Sequence, residues 1–216
     1  MITLTAFKWV PDFARGLVRD LRVRWALEEA GLSYRERLIE AADQKSASYR
    51  ALQPFGQVPV LEDDGLVLFE SGAILLHIAA KTDALLPADA SARQRAIAWV
   101  FAALNSVEPH VQNLAAIDLF YSGEDWAKLR RPGAEEAARQ RLACVAEWLG
   151  EKPYLEGGSF TAGDLMMATA LRILRHTDLV TAHAVLGPYL ARCEARPTFQ
   201  RALAAQLAAF ERTEAA

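Results

Sequence analysis

The sequence predicts an α/β unit followed by an all-helical unit, and three observations carry that prediction. Residues 2–39 read as strand, helix, strand, the pattern of a βαβ unit. Asp64-Gly65 between two short apolar runs is a strong hairpin signal. From Ala88 onward the chain offers only helical signals. The pattern changes around Leu85-Leu86-Pro87, which divides the chain into residues 1–82 and 88–216.

The elements follow in order. Ile2 to Trp9 reads as a buried strand, followed by a loop at Val10-Pro11-Asp12 and a helix to Ala30 that Gly31 stops. Tyr34 to Ile39 fits a second strand, and a turn is expected at Tyr49–Leu52. Pro59 sits at the mouth of the first hairpin strand, where a missing N–H costs no ladder bond. Its presence pushes Val58 to an extended conformation, with main-chain groups free to point outward. Glu70-Ser71 opens a helix from Gly72 to about Lys81, with partial positive charge at its start. An extended edge beside a helix start is a docking place for a small peptide carrying a carboxylate. Further helices are expected over Arg93–Tyr121, Ala134–Gly150, Asp164–Thr177 and Pro197–Phe210. Thr161 and Asp164 have capping-box spacing, and Phe160 and Leu165 stand where a hydrophobic staple packs.

Composition bounds the function. The 216 residues are 52% apolar and 24% charged, enough for a sizeable core. A formal net charge of −3 argues against nucleic acid as a partner, which calls for a basic face. Cys144 and Cys193 lie far apart in helical patterns with no Cys-x-x-Cys and no secretory signal, which reads as a reduced, cytoplasmic protein. No apolar run is long enough to span a bilayer. His77, His110, His176 and His183 are scattered and lack metal-ligand spacing.

Three stretches besides the hairpin region carry a resemblance. Pro54 to Ser71 resembles the glutathione-binding half of the soluble glutathione transferases. Val23-Arg24-Trp25-Ala26-Leu27-Glu28-Glu29-Ala30-Gly31-Leu32 looks like the end of that family's first helix. Phe160-Thr161-Ala162-Gly163-Asp164-Leu165 resembles the start of a helix in its second domain, and Arg196-Pro197-Thr198-Phe199 its C-terminal helix entry. The motifs occur in the family's order over nearly all of the chain. The resemblance implies a thioredoxin-like N-terminal domain that binds glutathione and an all-α C-terminal domain that lines an electrophile site. It also implies a cis bond at Pro59, pairing of Val58 with the glutathione backbone, and a homodimer.

Glutathione as co-substrate then assigns roles. Ser71 is expected to hold the γ-glutamyl carboxylate, helped by the helix start, and Glu70, or its counterpart across a dimer, the γ-glutamyl amine. Val58 pairs with the cysteinyl backbone. Lys45 reaches the glycine carboxylate, with Gln57 as a polar neighbour. Two alternatives stand beside these: Glu70-Ser71 as an ordinary helix N-terminus, and Lys45 as a solvated surface lysine.

A transferase must also lower the thiol pKa from about 8.5. The family supplies a Tyr, Ser or Cys at the end of the first strand or the start of the first helix. None occurs here before Ser33; Phe7 to Gly16 stands in its place. What remains is charge. Arg15, Arg19 and Arg22 recur at i, i+4 and i+7, one stripe of a helix, with Arg24 on another side. Arg15 is the candidate for stabilising the thiolate and Phe13 for shaping the pocket; a solvated basic face paired with Glu28, Glu29 and Glu36 is the alternative. Trp9, His110, Asn113 and Tyr121 are expected to line the electrophile site, with Arg172, Arg175 and His176 on another helix. The aromatic stripe Trp99, Phe101, Phe120 and Tyr121 is read partly as core.

The function that follows is attack of the glutathione thiolate on a small hydrophobic electrophile. A glutathione-dependent isomerase or reductase on the same fold is one alternative. A binding or interaction protein that kept the fold and lost the chemistry is the other.

Overall fold

A computed structural model describes residues 1–214, with side chains through residue 212. The chain forms two units. Residues 1–85 together with the chain from Arg196 onward make the first; Leu86–Ala195 make the second.

The first unit is built on a four-stranded sheet in the order β2-β1-β3-β4. β1 (Ile2–Phe7) runs parallel to β2 (Tyr34–Ile39) and antiparallel to β3 (Val60–Asp63), which pairs antiparallel with β4 (Leu66–Leu68). Residues 2–6 are all buried, as expected of a strand covered on both faces. Asp64 and Gly65 both take positive φ, 48° and 89°, as a two-residue hairpin turn requires. Between the strands lie α1 (Asp20–Ala30) and α2 (Ala47–Leu52), and α3 (Ser71–Ala79) follows β4. This is the thioredoxin-like α/β arrangement expected from the pattern.

Two expectations for this unit are corrected. The first helix begins at Asp20, because Gly16 takes φ 75°, which no right-handed helix admits. Residues 12–14 form only a single 3-10 turn. Arg15 and Arg19 therefore precede α1, and the predicted arginine stripe does not exist as one helical face. Arg24 is fully buried in an ion pair with Asp20 (2.7 Å) and bonds Glu36 as well. Tyr49–Leu52, expected as a turn, belongs to α2, capped by the Ser46 hydroxyl accepting the Tyr49 N–H at 3.2 Å.

The last helix, α9 (Pro197–Glu214), belongs to the first unit and not to the 88–216 helical unit expected from the sequence. It packs on α1. Trp25 and Phe199 meet edge to face at 4.8 Å, and Gln206 bonds Asp20 (2.7 Å), the Gly16 N–H (3.1 Å) and the Val18 carbonyl (3.2 Å). Gln206 thus fastens the irregular segment that precedes α1.

The second unit is helical throughout: α4 (Ala90–Ala102), α5 (Glu108–Phe120), α6 (Asp125–Leu149), α7 (Ala162–Leu171) and α8 (Leu186–Glu194). A π turn at Ala103–Val107 joins α4 to α5. Pro109 explains it: proline has no N–H to give the preceding turn, and its ring displaces the carbonyl four residues back. α6 begins at Asp125, not Ala134, and runs through Pro132, because its buried stripe of Ala127, Ala134, Ala138, Leu142, Val145 and Leu149 continues across the proline. The helix expected to reach Thr177 ends at Leu171 in a 3-10 turn, Arg172–Leu174. α8 was not among the expected helices; its Pro188 falls in the first helical turn, where proline fits.

The capping box is present. Asp164 accepts the Thr161 N–H and hydroxyl, each at 2.9 Å. All ten residues of α7 are buried. Gly163 lets α7 meet α4: an added Cβ would lie 2.5 Å from Trp99 Cβ and 3.1 Å from the Ala96 carbonyl oxygen. Gly163→Ala is expected to destabilise by about 1–2 kcal/mol, since overpacking outweighs the ~1 kcal/mol gained in helix propensity. Chemical denaturation checks this; a variant as stable as the parent would contradict it.

Candidate functional site

The hairpin register brings the two sequence motifs together. Leu61 faces Leu68, Glu62 faces Val67 and Asp63 faces Leu66. Val58-Pro59 precedes β3 and Glu70-Ser71 follows β4, so both motifs leave the open end of the same hairpin. Paired strands lie about 4.8 Å apart. The β1–β3 ladder ends with Thr5 opposite Val60, and Phe7 at the end of β1 packs against the cluster that holds Val58. The end of β1 therefore reaches the same end of the sheet.

The Val58–Pro59 peptide is cis. The Val58 side chain is buried in a cluster with Ile39, Tyr49 and Val60, against which Phe7, Val18 and Leu52 pack. Val58 lies outside the ladder, which begins at Val60. Among the described residues its N–H and C=O have no hydrogen-bond partner. A buried side chain holding an unpaired main-chain edge is what strand-like pairing with a peptide needs.

The loop before it is fastened from three sides. The Tyr49 hydroxyl donates to the Gln57 carbonyl at 2.7 Å. Burial pushes Tyr49 up to about 12, with Arg37 pulling weakly the other way, so it stays a donor at neutral pH. Gln53 Oε1 accepts the Phe55 N–H at 2.7 Å. Gly56 takes φ 64°, and a Cβ there would lie 2.7 Å from the Gln44 carbonyl oxygen, so only glycine passes. Gln44 belongs to the 3-10 turn Asp43–Lys45; Lys45 is exposed on that turn and Gln57 is exposed on the loop.

Opposite, Glu70 holds φ 69° and ψ 114°, a sparsely populated region for a residue with a side chain, costing about 1–3 kcal/mol. That twist turns the chain from β4 into α3. Ser71 is the first residue of α3, is 4% exposed, and its Oγ accepts from Arg22 Nη1 at 3.1 Å. The first amides of α3 have no partner within the helix, which leaves positive potential there.

After β1 the chain passes exposed Trp9, enters the turn carrying half-exposed Phe13, and reaches Arg15, whose Nε lies 3.1 Å from Asp12 Oδ1. No Tyr, Ser or Cys stands in this segment. In the second unit, half-buried His110 and exposed Asn113 lie on α5, and Tyr121 follows α5 with its ring 5.1 Å from Trp126. Val107 and Val111 are core, whereas Phe101, Phe120 and Tyr121 are exposed. Arg172 pairs with Glu194, and burial beside Arg175 pulls it down to about 10. His176 bonds Asp118 at 3.1 Å, which also takes Arg131. These side chains tie helices together. The sequence places Arg22 on an arginine stripe and Tyr49 in a turn, and neither the Arg22–Ser71 contact nor the Tyr49–Gln57 bond was foreseen there, because both depend on burial.

Comparison with known proteins gives the family. Residues 13–80 match the model of the glutathione S-transferase N-terminal domain. Glutathione S-transferase 3 of Zea mays is 32% identical over 86% of this chain and 88% of its own. Maleylacetoacetate isomerase of Rhizobium meliloti is 30% identical over 84% and 89%. A Burkholderia graminis glutathione transferase, solved with two glutathione molecules bound per subunit, superposes with a TM-score of 0.81 at 26% identity, covering 94% of this chain and 87% of that one. The chain belongs to the glutathione S-transferase family.

Proposed function

We propose that this protein is a glutathione transferase that binds glutathione at the Val58–Ser71 end of the sheet and delivers its thiolate to a small hydrophobic electrophile. The observation that supports the reading is the main chain of Val58, left without a hydrogen-bond partner among the described residues at the end of β3 where the hairpin leads through Glu70 into Ser71 and the α3 start. In this reading Val58, next to Pro59, pairs with the cysteinyl backbone, Ser71 takes the γ-glutamyl carboxylate and Glu70 the amine. Lys45 and Gln57 meet the glycine end. The cysteinyl sulfur then lies toward the end of β1, where Arg15 supplies fixed positive charge and Phe13 an apolar wall. Arginine cannot give up a proton near neutral pH, so it stabilises the thiolate by charge and not as an acid. Trp9 in the first unit and His110, Asn113 and Tyr121 in the second are each candidate contacts of the electrophile. The homodimer and the cytoplasmic setting come with the resemblance.

Lowering a thiol by about two pKa units takes ~3 kcal/mol, within reach of one well-placed charge. Ultraviolet titration of the thiolate in the saturated complex is expected to give a midpoint well below ~8.5, moving back up in Arg15→Ala. A midpoint equal to that of free glutathione would contradict the reading, and an unmoved Arg15→Ala midpoint would remove Arg15 from its role.

The isomerase relative favours a second reading, addition of the thiolate to an enone and its departure after bond rotation. Glutathione is consumed in the first reading and returned in the second, so following free thiol during turnover separates them.

A further inference from the structure

We infer that Arg22 is the positioning residue that fixes Ser71 as a hydrogen-bond donor toward the γ-glutamyl carboxylate. The inference rests on the glutathione reading above and adds a residue to it. Arg22 lies in the first turn of α1 and is 3% exposed, yet its Nη1 reaches Ser71 Oγ at 3.1 Å.

The direction of that bond is not free. A guanidinium only donates, so Ser71 Oγ must accept. A serine hydroxyl has one proton and two acceptor lone pairs. With a lone pair taken by Arg22, the proton is left to point elsewhere, and the residue presents a donor. Without Arg22 the hydroxyl rotates among local acceptors, such as carbonyls in the preceding chain.

Charge works in the same sense. A buried guanidinium is poorly screened, and the start of α3 adds positive potential at the same point. Both favour an anion against Ser71 and disfavour the ammonium of the same γ-glutamyl group. Arg22 thus sets which end of that group docks there. It does so through Ser71, from a helix that the ligand need not touch.

The test is calorimetric titration of the full chain with glutathione and with 4-aminobutyryl-cysteinyl-glycine, which keeps the amine and lacks that carboxylate. The parent protein is expected to prefer glutathione by about tenfold or more. Arg22→Met is expected to lose about tenfold for glutathione and to bind the analogue as the parent does. Arg22→Lys, which keeps charge on a different geometry, is expected to lose part of the preference; should Arg22→Met not fold, it carries the comparison alone. Equal losses for both ligands, or no loss for glutathione, would overturn the role of Arg22 while leaving the glutathione site standing. A parent protein that binds neither ligand would overturn the site itself and Arg22 with it.

Discussion

Replacing Asp164 with alanine is expected to destabilise the second unit by about 3–5 kcal/mol, the largest effect of any single substitution considered for it. Its two oxygens, fully buried, collect four donors: the Leu155 N–H at 2.8 Å, the Thr161 N–H and hydroxyl at 2.9 Å, and the Tyr189 hydroxyl at 3.0 Å. Those donors come from the segment before α7, from its cap and from α8. Burial raises its pKa and prevails, with the four bonds offsetting only part of that cost. Burial and the nearby Asp164 charge push Tyr189 far up, which keeps its proton in place to donate. Alanine would leave four buried donors without acceptors. Equilibrium denaturation measures the loss; a value near the ~1 kcal/mol of a simple cap would contradict the account.

Glu29 plays the matching part in the first unit, and Glu29→Gln is expected to cost about 2–3 kcal/mol at neutral pH. The carboxylate takes both arms of Arg196 at 2.6 and 2.7 Å, the Thr198 hydroxyl, and the Trp25 indole N–H at 3.0 Å. Burial raises its pKa, but the bonds from Arg196 and Thr198 prevail and hold it below the usual value. A lowered folded pKa means the unfolded chain binds the proton more tightly. This stabilisation is therefore complete above pH ~4.5 and is lost as the pH falls through the folded value. Glutamine has no such titration, so the gap between parent and variant should narrow as the pH drops below ~4.5. A gap that stays constant across that range would show that Glu29 acts through packing alone.

The parts of the fold that were legible from sequence are those fixed by local rules. The hairpin at Asp64-Gly65, the stop at Gly31 and the capping box at Thr161 each depend on residues within a few positions. So does the pairing of β3 with β4, because a short turn fixes their register. What was not legible depends on distant partners. Gly16 has its positive φ in a segment that Gln206 fastens from far along the chain. α9 joins the first unit because Glu29 and Trp25 receive its opening residues. α6 starts earlier than expected because a continuous buried stripe carries it across Pro132, and α8, not expected at all, holds Pro188 in its first turn. The Arg22–Ser71 contact was invisible for the same reason: a helical wheel ranks arginines by face, not by what the next element brings to them.

The central claim is that one end of the sheet grips glutathione through the main chain of Val58 and through Ser71. Amide NMR during titration of the full chain with glutathione tests it most directly. The account predicts saturable shifts that are largest at Val58 and Ser71, with Gln57 and Glu70 next. Saturation with those amides unmoved would place the tripeptide elsewhere and contradict it.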